Sequence, residues 1–208
     1  MTFGEMKQAV YDLLGLTNPS NVASDTVTMV ERFINQAKDE FVTSANWWFL
    51  ESSADLPFTS GSNALAFGTD VSRVLEITKA DGAPVRRVHR DDFEALFRNN
   101  TAVESAPRYF RIEGTETTAA LKGRVWPTPN ATSTGEVRYI KRVPDMTTTA
   151  DVPYHIPPEH HQVLVKIAAA RYREWEGHPS AQGAATDAER TIAKLRGQTL
   201  EDALTDGA

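Results

Sequence analysis

The chain reads as α+β, with two helices at each end and a β-rich stretch between them. Apolar residues recur at helical spacing up to about residue 45 and again after Pro158. Between Trp47 and about Tyr139 the 3.6-residue period is missing, and short runs rich in β-branched and aromatic residues alternate with turn signals. No fixed-period repeat is visible, which argues against a solenoid. The expected organisation is one helical domain from 1–46 and 154–197, a β-rich insertion over 47–153, and a C-terminal arm over 198–208.

Each element has its own signal. Thr2 and Glu5 have the spacing of a capping box, and Phe3, Met6, Val10, Leu13 and Leu14 follow at helical intervals. Gly15 suits the position just past the last turn, and TNPSN (17–21) reads as a loop. The second helix begins near Ser24 or Asp25. Val27, Val30, Phe33, Ile34, Ala37, Phe41 and Ala45 line one stripe of it, with Glu31, Arg32, Lys38, Asp39 and Glu40 placed off that stripe.

Strands are expected over 48–56, 71–78, 85–88, 108–113, 120–126 and 136–141. The turns between them are SGSN (60–63), DGAP (81–84), EGTE (113–116) and PTPNATSTG (127–135). Asp91 with Glu94 can cap one short helix through Phe93, Leu96 and Phe97.

The stretch around which the chain is organised is 154–175, YHIPPEHHQVLVKIAAARYREW. Its paired prolines suit a first helical turn, where no intrahelical donor is needed. Val163, Leu164, Ile167, Ala168, Tyr172 and Trp175 follow at helical spacing, and Val165, Ala169 and Ala170 widen the apolar arc beyond one core face. Such a helix is covered on two sides: it is central to a bundle, or it meets a neighbouring subunit. A last helix carries Ala184, Ala188, Ile192 and Leu195 on one side and is expected to stop at Gly197, leaving the acidic arm QTLEDALTDGA outside the core.

Composition removes several classes of function. A chain of 208 residues buries roughly 70% of its extended-chain surface on folding, so it needs no staple. Without cysteine there is no disulfide, thiol catalysis or cysteine-ligated zinc, which fits a reducing compartment. No run of about 18 apolar residues exists and the start lacks a basic region followed by an apolar one, so a soluble protein without a secretory leader is expected. The net charge is −6, but eleven Lys/Arg face seven Asp/Glu between Arg86 and Arg142. The middle is basic and the ends are acidic.

No constellation points to catalysis. His155, His160 and His161 with Glu159 form the only histidine cluster, but helical positions 160 and 161 point about 100° apart and match no zinc signature. Neighbouring carboxylates face different directions, and GxSxG, P-loop and GxGxxG motifs are absent. No cofactor and no metal is expected. The tryptophans read first as core or join-sealing aromatics; a base-stacking role would need a basic groove with interleaved aromatics. Such interleaving occurs at 108–111 (RYFR) and 138–142 (RYIKR), though strand alternation splits the second over two faces.

Order and spacing together carry a resemblance. Two N-terminal helices, an aromatic exit at Trp47–Trp48, a strand ending in W-P-x-P (126–129), the strand RYIKRVP (138–144) and a proline-rich turn into a long Ala-rich helix follow one another. This layout resembles the head-to-tail adaptor (connector) family of tailed double-stranded DNA bacteriophages, the group that includes tail tubular protein A of short-tailed phages. The resemblance implies a helical bundle with a β-barrel-like insertion. It also implies a non-enzymatic virion protein at the head–tail junction, assembled in the host cytoplasm as a ring of about twelve copies. Its partners would be the portal, the tail nozzle or tail spike and fibre proteins, and double-stranded DNA threading the channel without sequence-specific binding; no membrane is involved.

On that layout the arm would dock on the portal through Thr199, Leu200, Glu201 and Leu204, becoming helical on binding. Leu164, Ala168, Tyr172 and Trp175 would contact a neighbouring subunit, because a head-to-tail ring needs two different faces per copy. Two other readings stay open: a tail-completion or head-closure protein, and a DNA-binding accessory protein using Arg86, Arg87, Arg90, Arg108, Arg111, Arg138 and Arg142.

Overall fold

The computed structural model describes residues 1–16, 23–99, 103–114 and 120–205, with Asn99 and residues 198–205 described as backbone alone. The TNPSN segment and residues 115–116 of the EGTE turn therefore lie outside the described residues. The chain is α+β and divides into two compact units, Met1–Leu50 with Val143–Ala208, and Glu51–Arg142.

In the first unit, α1 (Phe3–Leu14) opens with the expected capping box. Thr2 accepts from the Glu5 N–H, and Glu5 accepts in return from the Thr2 N–H. Its next two backbone donors, on Phe3 and Gly4, bond to the carbonyls of Asp151 and Thr149. Gly15 ends the helix at φ 74°, a conformation that a side chain would strain.

The second helix, α2 (Ser24–Ser44), buries Val30, Phe33, Ile34, Ala37 and Phe41 as its stripe requires, and it buries Lys38 as well. Placing Lys38 off the stripe is corrected here. Position 38 lies one turn after Ile34 and three residues before Phe41, so its stem runs along the core face.

α4 (His161–Trp175) follows a short 3₁₀ turn at Pro158–His160 and is the central helix of this unit, packing on α1, α2 and α5. α5 (Ala181–Thr205) buries Ala188 and Ile192. Its backbone runs on through Gly197 to Thr205, so the expected stop at Gly197 does not occur. A lone glycine costs a helix interior only about 1 kcal/mol, and the residues after it include good helix formers.

The second unit is a seven-stranded sheet in the order β1-β7-β3-β4-β5-β6-β2. The strands are β1 (Glu51–Phe58), β2 (Ala64–Ala66), β3 (Val71–Thr78), β4 (Pro84–Arg87), β5 (Tyr109–Glu113), β6 (Lys122–Trp126) and β7 (Ser133–Lys141). The edge strands β1 and β2 approach each other, so the sheet nearly closes into a barrel.

Inward-facing residues from most of the strands, including Leu56, Val74, Ile77, Phe110, Val125 and Val137, fill it. At Gly135 a Cβ would stand 2.1 Å from the Thr78 carbonyl oxygen, so a glycine is what lets β7 lie this close to β3.

Two corrections and one new finding follow. Residues 48–50 form a 3₁₀ turn, so β1 starts at Glu51. β2 was not expected, being three residues long with two weak strand-formers. β4 and β5 pair in parallel, which requires a crossover, and α3 (Arg90–Asn99) supplies it.

Candidate functional site

Three regions were expected to carry function: the apolar arc of α4, the C-terminal arm and the basic middle. On α4, Leu164, Ala168 and Tyr172 are interior. Three helices of the same chain cover the arc, which accounts for its width, so these residues offer no face to a neighbouring subunit. Tyr172 meets the Phe33 ring edge-on at 6.4 Å, and burial raises its hydroxyl pKa.

Trp175 is different. It keeps 54% of its surface at the end of the helix, 5.5 Å from the Tyr172 ring. Arg173 donates to the Leu13 carbonyl at 2.6 Å, which ties the end of α1 to the end of α4. Leu13, 46% exposed, and Glu176 are thus surface features of the unit that carries Trp175.

For the arm, the backbone at Thr199, Leu200, Glu201 and Leu204 is already helical as part of α5. Their side chains lie outside the described residues.

Part of the basic middle is neutralised within its own unit, at Arg111, Arg124 and Arg138. Arg111 is only 8% exposed and pairs with Glu94 and Glu113, both at 2.5 Å. Its guanidinium lies over the Phe93 ring of α3 at 5.1 Å, and its buried Nε–H has no hydrogen-bond partner among the described residues. Glu113 also holds Arg124. Arg138 is shared between Glu51 and Glu76.

Among those that remain are the exposed arginines Arg86, Arg87, Arg90 and Arg108, without an acidic partner among the described residues. The β4–β5–β6 register sets Arg86, Tyr109 and Trp126 in one row, with the two aromatic rings stacked at 5.9 Å. Beside it lies a recess of about 500 Å³ lined by Arg87, Val88, His89, Arg90, Arg111 and Ile112.

The histidines are spent on structure. His160 packs among Phe41, Trp47 and Phe49, with ring centres 5.5 to 6.3 Å away. The His161 Nε2 bonds to the Ile156 carbonyl at 2.9 Å. Burial holds both imidazoles below their usual pKa. His155 occupies a turn at φ 67°. Among the described residues no group of three or more His, Asp or Glu is placed to hold a metal ion, and no helix is long and apolar enough to cross a membrane.

A carboxylate that sequence reading passed over organises the loop before α4. Asp151 accepts from the backbone N–H groups of Thr147 and Thr148 and from both hydroxyls. These bonds, the Thr148 backbone first among them, pull its pKa down to about 2. The signal was present in TTTAD, a run of hydroxyl residues ending in an aspartate that can bond back to it.

The group is anionic in the folded state, so it stabilises the fold above the unfolded-state pKa near 4 and that contribution disappears as pH falls towards 2. The melting temperature should therefore drop between about pH 4 and pH 2, and Asp151→Asn should flatten that drop while lowering stability at neutral pH. A pH–melting curve unchanged by the substitution would show the loop to be indifferent to this charge.

A helical unit built around one central helix, joined to a nearly closed sheet whose most buried arginine is ion-paired, is the architecture of a structural protein with surfaces to offer. The chain belongs to the SU10 adaptor protein family, whose profile matches residues 1–207. This is a family of phage head-to-tail adaptors, so the chain is a structural adaptor of the virion's head–tail junction. The match is to the SU10 adaptor protein rather than to tail tubular protein A. No individual curated protein matches the chain.

Proposed function

We propose that the protein forms a ring of about twelve copies docked under the portal, extending the DNA channel, helping to retain the packaged genome and providing the platform on which the tail nozzle, spikes or fibres attach. The family match over residues 1–207 is the observation that carries this reading, because it spans both units and not one shared module. Duplex DNA threads the channel without sequence-specific contact; the internal pairing of Arg111 and Arg138 supports this, since it removes them from a continuous basic lining. The segment 198–208 is the portal-docking arm, with Leu200 and Leu204 one turn apart as its apolar anchors.

Truncation after Gly197 tests the arm. The shortened chain is expected to lose only the small helical signal of the last turns of α5 and to keep nearly its melting temperature, yet to stop co-sedimenting with purified portal rings. A truncated chain that still co-sediments overturns the arm's role, and one that fails to fold shows the segment to be core.

A further inference from the structure

The exposed arginines of the sheet unit have no acidic partner among the described residues, the tryptophan of the helical unit rests against Tyr172 yet keeps 54% of its surface free, and the two are complementary in chemistry. Residues 1–50 with 143–208 carry 9 Lys/Arg against 16 Asp/Glu, whereas residues 51–142 carry 13 against 12. At the tip of α4, Trp175 stands out from the surface, followed by the exposed carboxylate of Glu176. The recess by β4 presents the reverse. Val88 and Ile112 give it a half-buried aliphatic floor, and Arg87 and Arg90 stand at it without acidic partners among the described residues.

We infer that Trp175 and Glu176 of one copy seat in the Arg87–Arg90 recess of the next copy, making the head-to-tail contact between neighbours. The aliphatic floor would take the indole, an arginine would lie over its face, and the second arginine would meet the Glu176 carboxylate. Tryptophan and arginine are the residue types that dominate binding energy at such contacts. The two surfaces are different, as a cyclic heterologous interface demands, whereas a two-fold dimer would use one surface twice.

A continuous phosphodiester track fits less well, because the exposed carboxylates of Asp91 and Asp92 interrupt the run of positive charge that such a track needs, whereas a single carboxylate needs only one arginine. The contact rests on the reading of the chain as a multi-copy adaptor, and it adds the residues that join the copies.

Sedimentation velocity of the full chain over a concentration series tests it. Trp175→Ala, Glu176→Arg and the pair Arg87→Glu/Arg90→Glu are each expected to weaken self-association on the order of 30-fold. Combining Glu176→Arg with Arg90→Glu is expected to recover most of that loss, and Arg138→Gln, on a different part of the sheet, to leave self-association unchanged. Circular dichroism confirms that each variant is folded.

Three results overturn the contact: a swap that fails to rescue, a chain that stays monomeric throughout, or arginine reversals that weaken binding to a 20-base-pair duplex while sparing self-association. Co-sedimentation of the unmodified chain with portal rings, run in parallel, separates the two proposals. Its failure removes the portal-docking reading and leaves the swap result to be judged alone.

Discussion

Replacing Trp47 by alanine is expected to cost the helical unit about 4 kcal/mol, the upper range for deleting a buried aromatic side chain. Trp47 is fully buried, stacks on Phe41 at 4.5 Å and lies 5.7 Å from Phe49. Its indole N–H donates to the Phe41 carbonyl at 2.8 Å, at the last turns of α2. The substitution therefore opens a cavity and removes one of the two side-chain donors to the Phe41 carbonyl, the Ser44 hydroxyl remaining at 2.7 Å.

Trp47→Phe separates the two effects. It retains most of the stack and loses the hydrogen bond, for an expected cost of about 2 kcal/mol. Urea unfolding followed by far-ultraviolet circular dichroism reads both. Equal costs would mean that the stacking contributes little. The adjacent Trp48 is the internal control, since it is 63% exposed and its removal should change stability by about 0.5 kcal/mol or less.

Lys38→Ala is expected to cost about 3 kcal/mol. The lysine is 1% exposed, and its ammonium donates to the Val143 carbonyl at 3.2 Å and pairs with Asp145 and, at 3.2 Å, with Asp39. One helical turn earlier, Asn35 exchanges two hydrogen bonds with the backbone of Met146, at 3.0 and 2.9 Å. Together the two residues fasten 143–146 to α2.

Both carboxylates are about two-thirds exposed and rehydrate when the lysine is lost, which keeps the cost at the low end for a buried ion pair. Lys38→Met preserves the stem and should cost only about 1.5 kcal/mol, the loss of the bond to the buried Val143 carbonyl. If methionine proves as damaging as alanine, the charge rather than the packing holds this segment.

Much of the fold was legible because its signals are local. The Thr2–Glu5 box and Gly15 bracket α1, and turn residues at 60–63 and 81–84 separate strands whose ends fall within a few residues of expectation. Where reading failed, the deciding partner was far away in sequence. Lys38 is a surface residue by type and becomes a core residue because Val143 and Asp145 reach it. The short β2 exists because β6 pairs with it. The breadth of the α4 arc was visible, but not that helices of the same chain would cover it and leave Trp175 as the exposed position. The recess by β4 is likewise assembled from segments more than twenty residues apart, Arg87–Arg90 and Arg111–Ile112.

Read alone, the chain of residues settles the order of helices and strands, the acidic ends around a basic middle, and the layout that marks a head-to-tail adaptor. Caps, turns and periodicities act over a few residues, so they survive without knowledge of anything distant. Folding alone decides which arginines are neutralised, which tryptophan faces out and where the sheet nearly closes. Those outcomes depend on pairings such as Glu51 with Ile140, and contacts across that much chain leave no signature in either segment taken separately.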